Sequence, residues 1–246
     1  MLAGENMLRS FKDEIGHVLL PGDAFLFDLP ATDCKPGKVI CGPGLRRNGD
    51  VILVCKSGIL RHKMPNLFWI DAQQRRYVPA KGESVIGIVT GKSVNVFKVD
   101  VGGSEQASLS YLAFEGATKR NRPNVQVGDL VHGQFTIANK DMEPELVCVD
   151  GGGRASGMGV FGTGGLLFKV SLGLSRRLLA PHSEVVKDLE GLFPFEMVAG
   201  MNGRVWVKAQ SMQQTVVVAS LLESCENMSA PQRKVLFRRA AARGGS

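Results

Sequence analysis

A turn near the C-terminal end of the chain constrains the fold more than any other feature. Its sequence is Gly200-Met201-Asn202-Gly203, between an apolar run over 195–199 and an alternating segment over 204–208. Asn and Gly supply positive φ at low steric cost, so the pattern predicts a two-residue β-hairpin turn. Apolar spacing around the hairpin predicts a strand over 166–171, helices over 174–179 and 183–192, and a third helix over 215–225. The predicted order is strand, helix, helix, strand, strand, helix.

This order of elements is that of a KH module, a fold that binds RNA. KH modules hold RNA with a GXXG loop between their first two helices, where backbone N–H groups approach the phosphates closely. The corresponding stretch, residues 179–182, reads Leu-Ala-Pro-His. It has no glycine, and Pro181 lacks an N–H donor. We therefore predict a KH fold that has lost its usual RNA grip, with Gly200, Asn202 and Gly203 forming a structural turn.

The rest of the chain predicts two small β domains, so the fold class is mainly β with an α+β C-terminal module. Turn signals in the first part separate apolar runs at 24–29, 39–41, 51–55 and 67–70. The second part predicts strands at 84–90, 94–101, 108–112, 127–137 and 146–149. Five strands in about 70 residues leave no room for a crossover helix and favour a small closed barrel of the OB type.

Predicted boundaries follow from composition. Pro79-Ala80-Lys81-Gly82 separates the two β domains, and residues 151–165, with eight glycines in fifteen residues, indicate a linker before the KH module. The predicted domains are an N-terminal β domain over 1–78, an OB-type barrel domain over 79–152 and a KH domain over 153–246.

Composition limits the classes of function. The net charge of +7 is compatible with scattered surface charge, and nucleic acid is the commonest specific alternative. Five cysteines form no CxxC pair and share no ligand spacing with the four histidines, which argues against zinc and for a reducing compartment. No apolar run reaches the length of a membrane span, and the N-terminus lacks a signal-peptide pattern. We expect a soluble, intracellular chain without a membrane partner.

Motifs with catalytic or nucleotide-binding meaning fail on context. Residues 157–162 match GxGxxG, but a strand-like run follows where a dinucleotide site needs a helix N-terminus. Gly91-Lys92-Ser93 lacks the first glycine of a P-loop, since position 86 is isoleucine. The densest carboxylates, Asp141, Glu143 and Glu145, surround Pro144 in a pattern typical of an exposed loop. We therefore predict no catalytic residue, no metal and no cofactor.

The basic loop, defined as residues 119–123, is the best candidate for a nucleic-acid contact. Lys119, Arg120 and Arg122 place three cations within four residues, and Pro123 stiffens the loop. OB-type barrels bind single-stranded nucleic acid beside such loops, so we predict phosphate contacts; a solvated surface loop is the alternative. Trp206 and Phe97 alternate with core residues, and we expect them to pack inside their domains.

Several long segments together carry a resemblance to a known family. They are SVIGIVT at 84–90, FKVDVGG at 97–103, EGATKRNRP at 115–123, NKDMEPE at 139–145 and GMNGRVWVK at 200–208. With the domain order they resemble the cap subunits of the eukaryotic RNA exosome called exosome component three, the ribosomal RNA-processing protein forty type. The resemblance covers almost the whole chain.

The resemblance implies a non-catalytic role. Such cap subunits sit, with two other cap subunits, on a ring of six RNase PH-like subunits, bridge ring subunits and help form the entrance to the central channel for single-stranded RNA. Separate associated ribonucleases degrade the RNA. The resemblance also implies that a GxNG motif, matched by Gly200, Asn202 and Gly203, packs against the S1 domain. It implies residence in the nucleus, nucleolus and cytoplasm.

Two other classes of function stay open at this stage. A free-standing single-stranded RNA-binding factor would bind RNA tightly as a monomer. A ribonuclease would need a catalytic constellation, and no visible motif arranges one.

Overall fold

The computed structural model describes residues 11, 13–26, 39–64, 66–139, 141–181, 183–192, 194–228 and 230–244. The chain divides into two compact units, residues 1–73 and 74–246. The second unit contains both the barrel and the α+β module, whereas the first is a β domain of its own. The predicted strand at 27–29 and the cysteine at position 34 lie outside the described residues.

Short strands in two sheets form the first unit. One sheet has the order β1-β6-β7-β3 and the other β2-β5-β4. Phe11, Ile52, Leu60 and Phe68 are among the side chains buried between them. The strands are β1 (Val18–Leu19), β2 (Ala24–Leu26), β3 (Ile40–Cys41), β4 (Leu45–Asn48), β5 (Val51–Val54), β6 (Gly58–Lys63) and β7 (Leu67–Asp71). Three of them, β1, β4 and β6, were not predicted, because charged or exposed residues interrupt their apolar pattern.

The second unit begins with a closed barrel, and the prediction of an S1-type OB barrel is confirmed. The sheet order is β12-β10-β9-β8-β11-β13, and a further β11–β12 pairing closes the barrel. Val85, Phe97, Val99, Leu109 and Phe135 fill its interior. The strands are β8 (Ser84–Lys92), β9 (Val96–Asp100), β10 (Ala107–Ser110), β11 (Leu130–Ile137), β12 (Glu145–Val147) and β13 (Gly159–Val160).

Several barrel boundaries differ from the prediction, and two of the differences have a visible structural cause. The first strand continues through Gly91 and Lys92, which were predicted as a turn, because both residues pair with β9 across an irregularity in register. The third strand ends at Ser110, whose side chain caps a short 3-10 helix, Tyr111–Ala113, by accepting the Leu112 N–H.

The α+β module has the element order of a KH fold, which confirms that prediction. Its antiparallel sheet has the order β14-β16-β15. The first and third helices begin two to three residues earlier than predicted, because Ser171 and Ser211 cap them by accepting the N–H of Leu174 and Gln214. The elements are β14 (Leu166–Lys169), α1 (Leu172–Leu179), α2 (Glu184–Glu190), β15 (Phe195–Ala199), β16 (Arg204–Ala209), α3 (Met212–Ser224) and α4 (Ala230–Gly244).

The glycine-rich stretch is a packed connection, so the prediction of a simple linker is wrong. The Asp150 carboxylate accepts the N–H groups of Gly152 and Arg154 and the Ser156 hydroxyl. Strand β13 then pairs with β11 and extends the barrel sheet. Composition alone hid this order, because glycines that serve tight turns look the same in a sequence as glycines that serve flexibility.

Candidate nucleic-acid interface

The predicted hairpin turn joins β15 to β16, but its geometry differs from the prediction. Gly203 has a φ of 75°, whereas Asn202 does not enter the positive region. The Gly203 N–H donates to the Gly200 carbonyl at 3.1 Å, and the Gly200 N–H donates to the Arg204 carbonyl at 2.8 Å. The loop therefore holds three residues with glycine in the left-handed position, a common alternative to a two-residue turn. The expectation of positive φ at Asn202 is wrong.

Asn202 inserts its side chain into the barrel. Its amide Nδ2 donates to the carbonyls of Ile86 and Val101, both at 2.8 Å. The neighbouring Met201 N–H donates to the Ser84 carbonyl at 2.8 Å. These bonds reach the start of β8 and the residue after β9, where pairing between the two strands stops. The amide therefore satisfies two carbonyls that the β8–β9 ladder leaves open.

Arg204, the first residue of β16, is buried and forms an ion pair with the half-exposed Asp100 at the same junction. The arginine is 3% exposed. Its Nη2 lies 2.6 Å from the Asp100 carboxylate, and its Nη1 donates to the carbonyls of Asp100 and Ile86. Partial burial alone would raise the pKa of Asp100, but hydrogen bonds from Arg204 and the Gly102 N–H and nearby positive charge outweigh it, so the pKa is lowered. The carboxylate is therefore held in its charged form.

Two glycines in this turn are required by close approach to backbone. A Cβ at Gly203 would lie 2.6 Å from the Val170 carbonyl oxygen, and one at Gly200 would lie 2.8 Å from the Ile86 nitrogen. Neither neighbour is a flexible side chain, so neither can give way. The turn is used for contact between the KH module and the barrel within this unit.

The two aromatic residues considered at the sequence level are both buried. Phe97 is 3% exposed inside the barrel and Trp206 is 5% exposed in the KH sheet. The Trp206 ring packs on Phe161 of the glycine-rich connection, with centroids 4.8 Å apart. The prediction that both serve packing is confirmed.

The basic loop is solvent-exposed and internally ordered. It follows the 3-10 helix Tyr111–Ala113 and precedes β11. The Thr118 N–H donates to the Asn121 carbonyl at 2.9 Å, and the Asn121 N–H donates to the Thr118 hydroxyl at 3.0 Å. Local hydrogen bonds therefore fix the backbone that presents the three cations.

The three cations of the loop are not equivalent. All are exposed, but Arg122 donates from Nη1 to the Val94 carbonyl at 3.1 Å and lies over the Tyr111 ring, 4.8 Å from its centroid. Within the described part of the chain, Lys119 and Arg120 have no hydrogen-bond or ion-pair partner. Two charges are thus free and one is held against the barrel.

The loop and the KH turn lie at opposite ends of one hairpin. The turn contacts β8 at Ser84 and Ile86 and the end of β9 at Asp100, whereas Arg122 contacts Val94 at the β8–β9 tip. Strand β9, Val96–Asp100, separates these two sets of contacts and spans about 15 Å. The structure therefore does not bring the two sets of predicted residues together.

Comparisons with known proteins cover nearly the whole chain. Family models match the N-terminal region of mammalian exosome complex component RRP40 at residues 17–73, the S1 domain of exosome complex component RRP40 at 77–159 and a KH domain at 165–213. Human exosome complex component RRP40 is 56% identical over 263 residues, which cover 98% of this chain and 95% of the human protein. The chain belongs to the exosome complex component RRP40 family.

More distant relatives agree with this assignment. The RRP40 component of Saccharomyces cerevisiae is 34% identical over 220 residues, covering 85% of this chain and 88% of the yeast protein. A solved crystal structure of a candidate exosome complex RNA-binding protein has a TM-score of 0.57 at 20% identity, over 69% of this chain and 99% of the other. That structure supports the fold. The resemblance seen in the sequence motifs is confirmed.

Sequence reasoning missed two functional-site features of this RRP40 family member. The Asp100–Arg204 pair joins residues that are 104 positions apart, and the support of Arg122 by Tyr111 crosses a loop. One local signal existed for the first. Arg204 directly precedes the apolar run 205–207 of β16, and a charged residue at a buried position needs a partner.

The described residues form neither a cluster of metal ligands nor a membrane-spanning helix. No three side chains of His, Cys, Asp or Glu there come together as ligands for an ion. None of the helices in that part of the chain has both the length and the apolar character needed to cross a bilayer.

Proposed function

We propose that this chain is a non-catalytic RNA-binding cap subunit of the RNA exosome. In this proposal it binds the ring of RNase PH-like subunits together with other cap subunits, stabilises the ring and helps form the entrance for single-stranded RNA to the central channel. Associated ribonucleases perform 3′-to-5′ processing and degradation. In this proposal the subunit acts in the nucleus, nucleolus and cytoplasm.

One observation supports a structural role for the KH turn and an RNA-binding role for the basic loop. The KH turn is occupied by the barrel, through Asn202 and Arg204, while the basic loop at the other end of the hairpin carries free cations. The connection between α1 and α2 also lacks the glycines with which KH modules clamp phosphates. RNA contact is therefore assigned to the barrel, and the KH module is assigned to support and assembly.

The test uses the assembled complex of the chain with ring and cap subunits. Fluorescence anisotropy measures affinity for labelled single-stranded RNA over a salt series. If each of the three cations contacts one phosphate, the slope of log affinity against log salt should fall by about 2 in the triple variant Lys119→Gln/Arg120→Gln/Arg122→Gln, at about 0.7 per lost contact; if only Lys119 and Arg120 contact phosphates, it should fall by about 1.4. The loss should be similar for all RNA sequences, because phosphates carry no sequence information.

A matched control removes the same charge elsewhere. Lys234→Gln/Arg238→Gln/Arg239→Gln neutralises three exposed cations of α4 and should leave the slope unchanged. An unchanged slope in the loop variant would mean that the loop is a solvated surface loop that does not contact RNA phosphates. Failure of the loop variant to assemble would assign the loop to a protein contact instead.

The other two classes are tested with the purified chain alone. A free-standing RNA-binding factor would bind RNA as tightly without the ring as with it, and would elute separately from ring subunits in size-exclusion chromatography. A ribonuclease would shorten single-stranded RNA in the presence of Mg²⁺. We expect co-elution with the ring and no shortening.

A further inference from the structure

Arg122 differs from its neighbours in the basic loop because its guanidinium group is held in place. Tyr111 lies beneath it, 4.8 Å from the Cζ atom to the ring centroid, and the Val94 carbonyl accepts a hydrogen bond from Nη1 at 3.1 Å. Tyr111 is 8% exposed, whereas Arg122 is exposed. The arginine therefore covers the tyrosine and itself faces solvent.

The supports of this guanidinium are tied to one rigid element, the tip of the β8–β9 hairpin. The Tyr111 N–H donates to the Asn95 carbonyl at 3.3 Å, next to the Val94 carbonyl that holds Arg122. The tip is closed by the Ser93 N–H, which donates to the Val96 carbonyl at 2.9 Å. Because these contacts hold the guanidinium in position before any ligand arrives, binding does not incur the entropic cost of ordering it.

A guanidinium with one face on an aromatic ring presents its other face as a flat platform. Unpaired bases stack on arginine planes as they do on aromatic rings. Val94, 74% exposed at the hairpin tip, adds apolar surface beside the platform. A phosphate would need free N–H edges pointing outward, but one edge of Arg122 is already bonded to the barrel. Lys119 and Arg120 have no such restraint.

We propose that Arg122 on Tyr111 forms a stacking platform for one unpaired base, while Lys119 and Arg120 contact the flanking phosphates. This inference rests on the proposed function and assigns to the site a class of substrate, nucleic acid with exposed bases. A duplex, whose bases are stacked on each other, would gain only the phosphate contacts.

The experiment compares two RNA strands of equal length with the assembled complex, one of oligoadenylate and one abasic. Both carry the same phosphates, but the abasic strand has nothing to stack. Arg122→Lys keeps the charge and loses the plane. It should weaken binding of oligoadenylate by about tenfold, the range of one stacked base, and leave the salt slope unchanged. Abasic binding should change by less than about twofold.

Arg239→Lys is the matched control, since it makes the same substitution on an exposed arginine of α4, outside the basic loop. It should leave both strands bound as in the parent. If Arg122→Lys weakens both strands equally, or leaves both unchanged, the stacking proposal is wrong.

Failure of the stacking proposal is distinguishable from failure of the proposed function. If Lys119→Gln/Arg120→Gln lowers the salt slope while Arg122→Lys does not discriminate between the strands, the loop binds phosphates only. If neither variant changes binding or slope for either strand, the loop does not bind RNA, and both proposals fail.

Discussion

The KH turn, Gly200–Arg204, and the basic loop, 119–123, sit at opposite ends of the β8–β9 hairpin and use similar residues in opposite ways. Arg204 is 3% exposed and bonds to one carboxylate and two carbonyls. Arg120 is exposed and has no partner among the described residues. Arg204 therefore donates its hydrogen bonds within the fold, whereas Arg120 remains available to a ligand.

Desolvation explains the difference. A charge removed from water costs several kcal/mol unless its hydrogen bonds are replaced, so a buried arginine requires a complete set of acceptors. An exposed cation keeps its water and can exchange it for a phosphate. Polar residues beside a glycine turn can serve structure or binding. Which role they have depends on whether their hydrogen-bond donors already have acceptors within the fold.

The largest effect is expected when glycine is replaced in the KH turn. Gly203 and Gly116, which lies just before the basic loop, have similar positive φ angles of 75° and 68°, but only Gly203 is crowded. Gly116→Val should cost the strain alone, about 1–3 kcal/mol. Gly203→Val should cost about 4 kcal/mol, since its Cβ also meets the Val170 carbonyl.

Urea unfolding of the full chain measures both glycine variants. The Gly203 variant should also enter the complex poorly, whereas the Gly116 variant should assemble. If Gly203→Val unfolds and assembles like the parent but loses RNA affinity, the turn is an RNA site and the contrast between the two regions is wrong.

The next effect concerns the two ion pairs of the barrel. Asp100→Ala leaves Arg204 buried without its carboxylate and should destabilise the chain by about 2 kcal/mol, less than a fully buried pair, because Asp100 is 41% exposed. Glu143→Ala breaks the pair with Lys98, whose side chains are 43% and 51% exposed, and should cost less than about 1 kcal/mol. Equal losses in urea unfolding would show that burial of Arg204 does not matter.

The Asp100 pair also predicts a dependence on pH. The pKa of Asp100 is lowered in the folded chain. The stability that the charged carboxylate contributes is therefore fully present above the unfolded pKa of about 4, and it is lost as pH falls through the folded pKa. The difference in free energy of unfolding between the parent and Asp100→Asn should therefore be largest near neutral pH and shrink below about 4. Asp150, the other carboxylate whose pKa is lowered, is present in both proteins, so its contribution to the free energy of unfolding cancels in the difference. A constant difference would assign the effect to packing.

These contrasts also show what the sequence could reveal. Alternation in Val96–Asp100 and Arg204–Ala209 predicts strands because each strand buries one or both faces. The Asn-Gly pair predicts a turn, but the number of residues in it depends on where Asn202 is drawn by Ile86 and Val101. Those carbonyls are more than 100 positions away. Local sequence patterns predict individual strands and turns, whereas contacts between distant segments decide their exact length and conformation.

The functional residues divide in the same way. Three cations near a proline are visible in the sequence, but their inequality depends on Tyr111 and Val94, which no spacing rule connects to Arg122. The glycine-rich segment was misjudged because the order comes from one side chain, Asp150, that accepts three hydrogen bonds. Composition reports the average tendency of a segment, and a single well-placed acceptor can override it.

The smallest effect on stability is expected in the basic loop, and it completes the contrast. Lys119→Gln/Arg120→Gln removes two exposed charges that make no contact in the described structure, so the free energy of unfolding should change by less than about 0.5 kcal/mol. The same variant, in the assembled complex, should lower the salt slope of RNA binding by about 1.4, at about 0.7 per phosphate. Stability and binding thus separate here, whereas in the KH turn they should fall together. A destabilisation comparable with that of Asp100→Ala would mean that these cations have partners within the fold, and the loop would then belong with the turn.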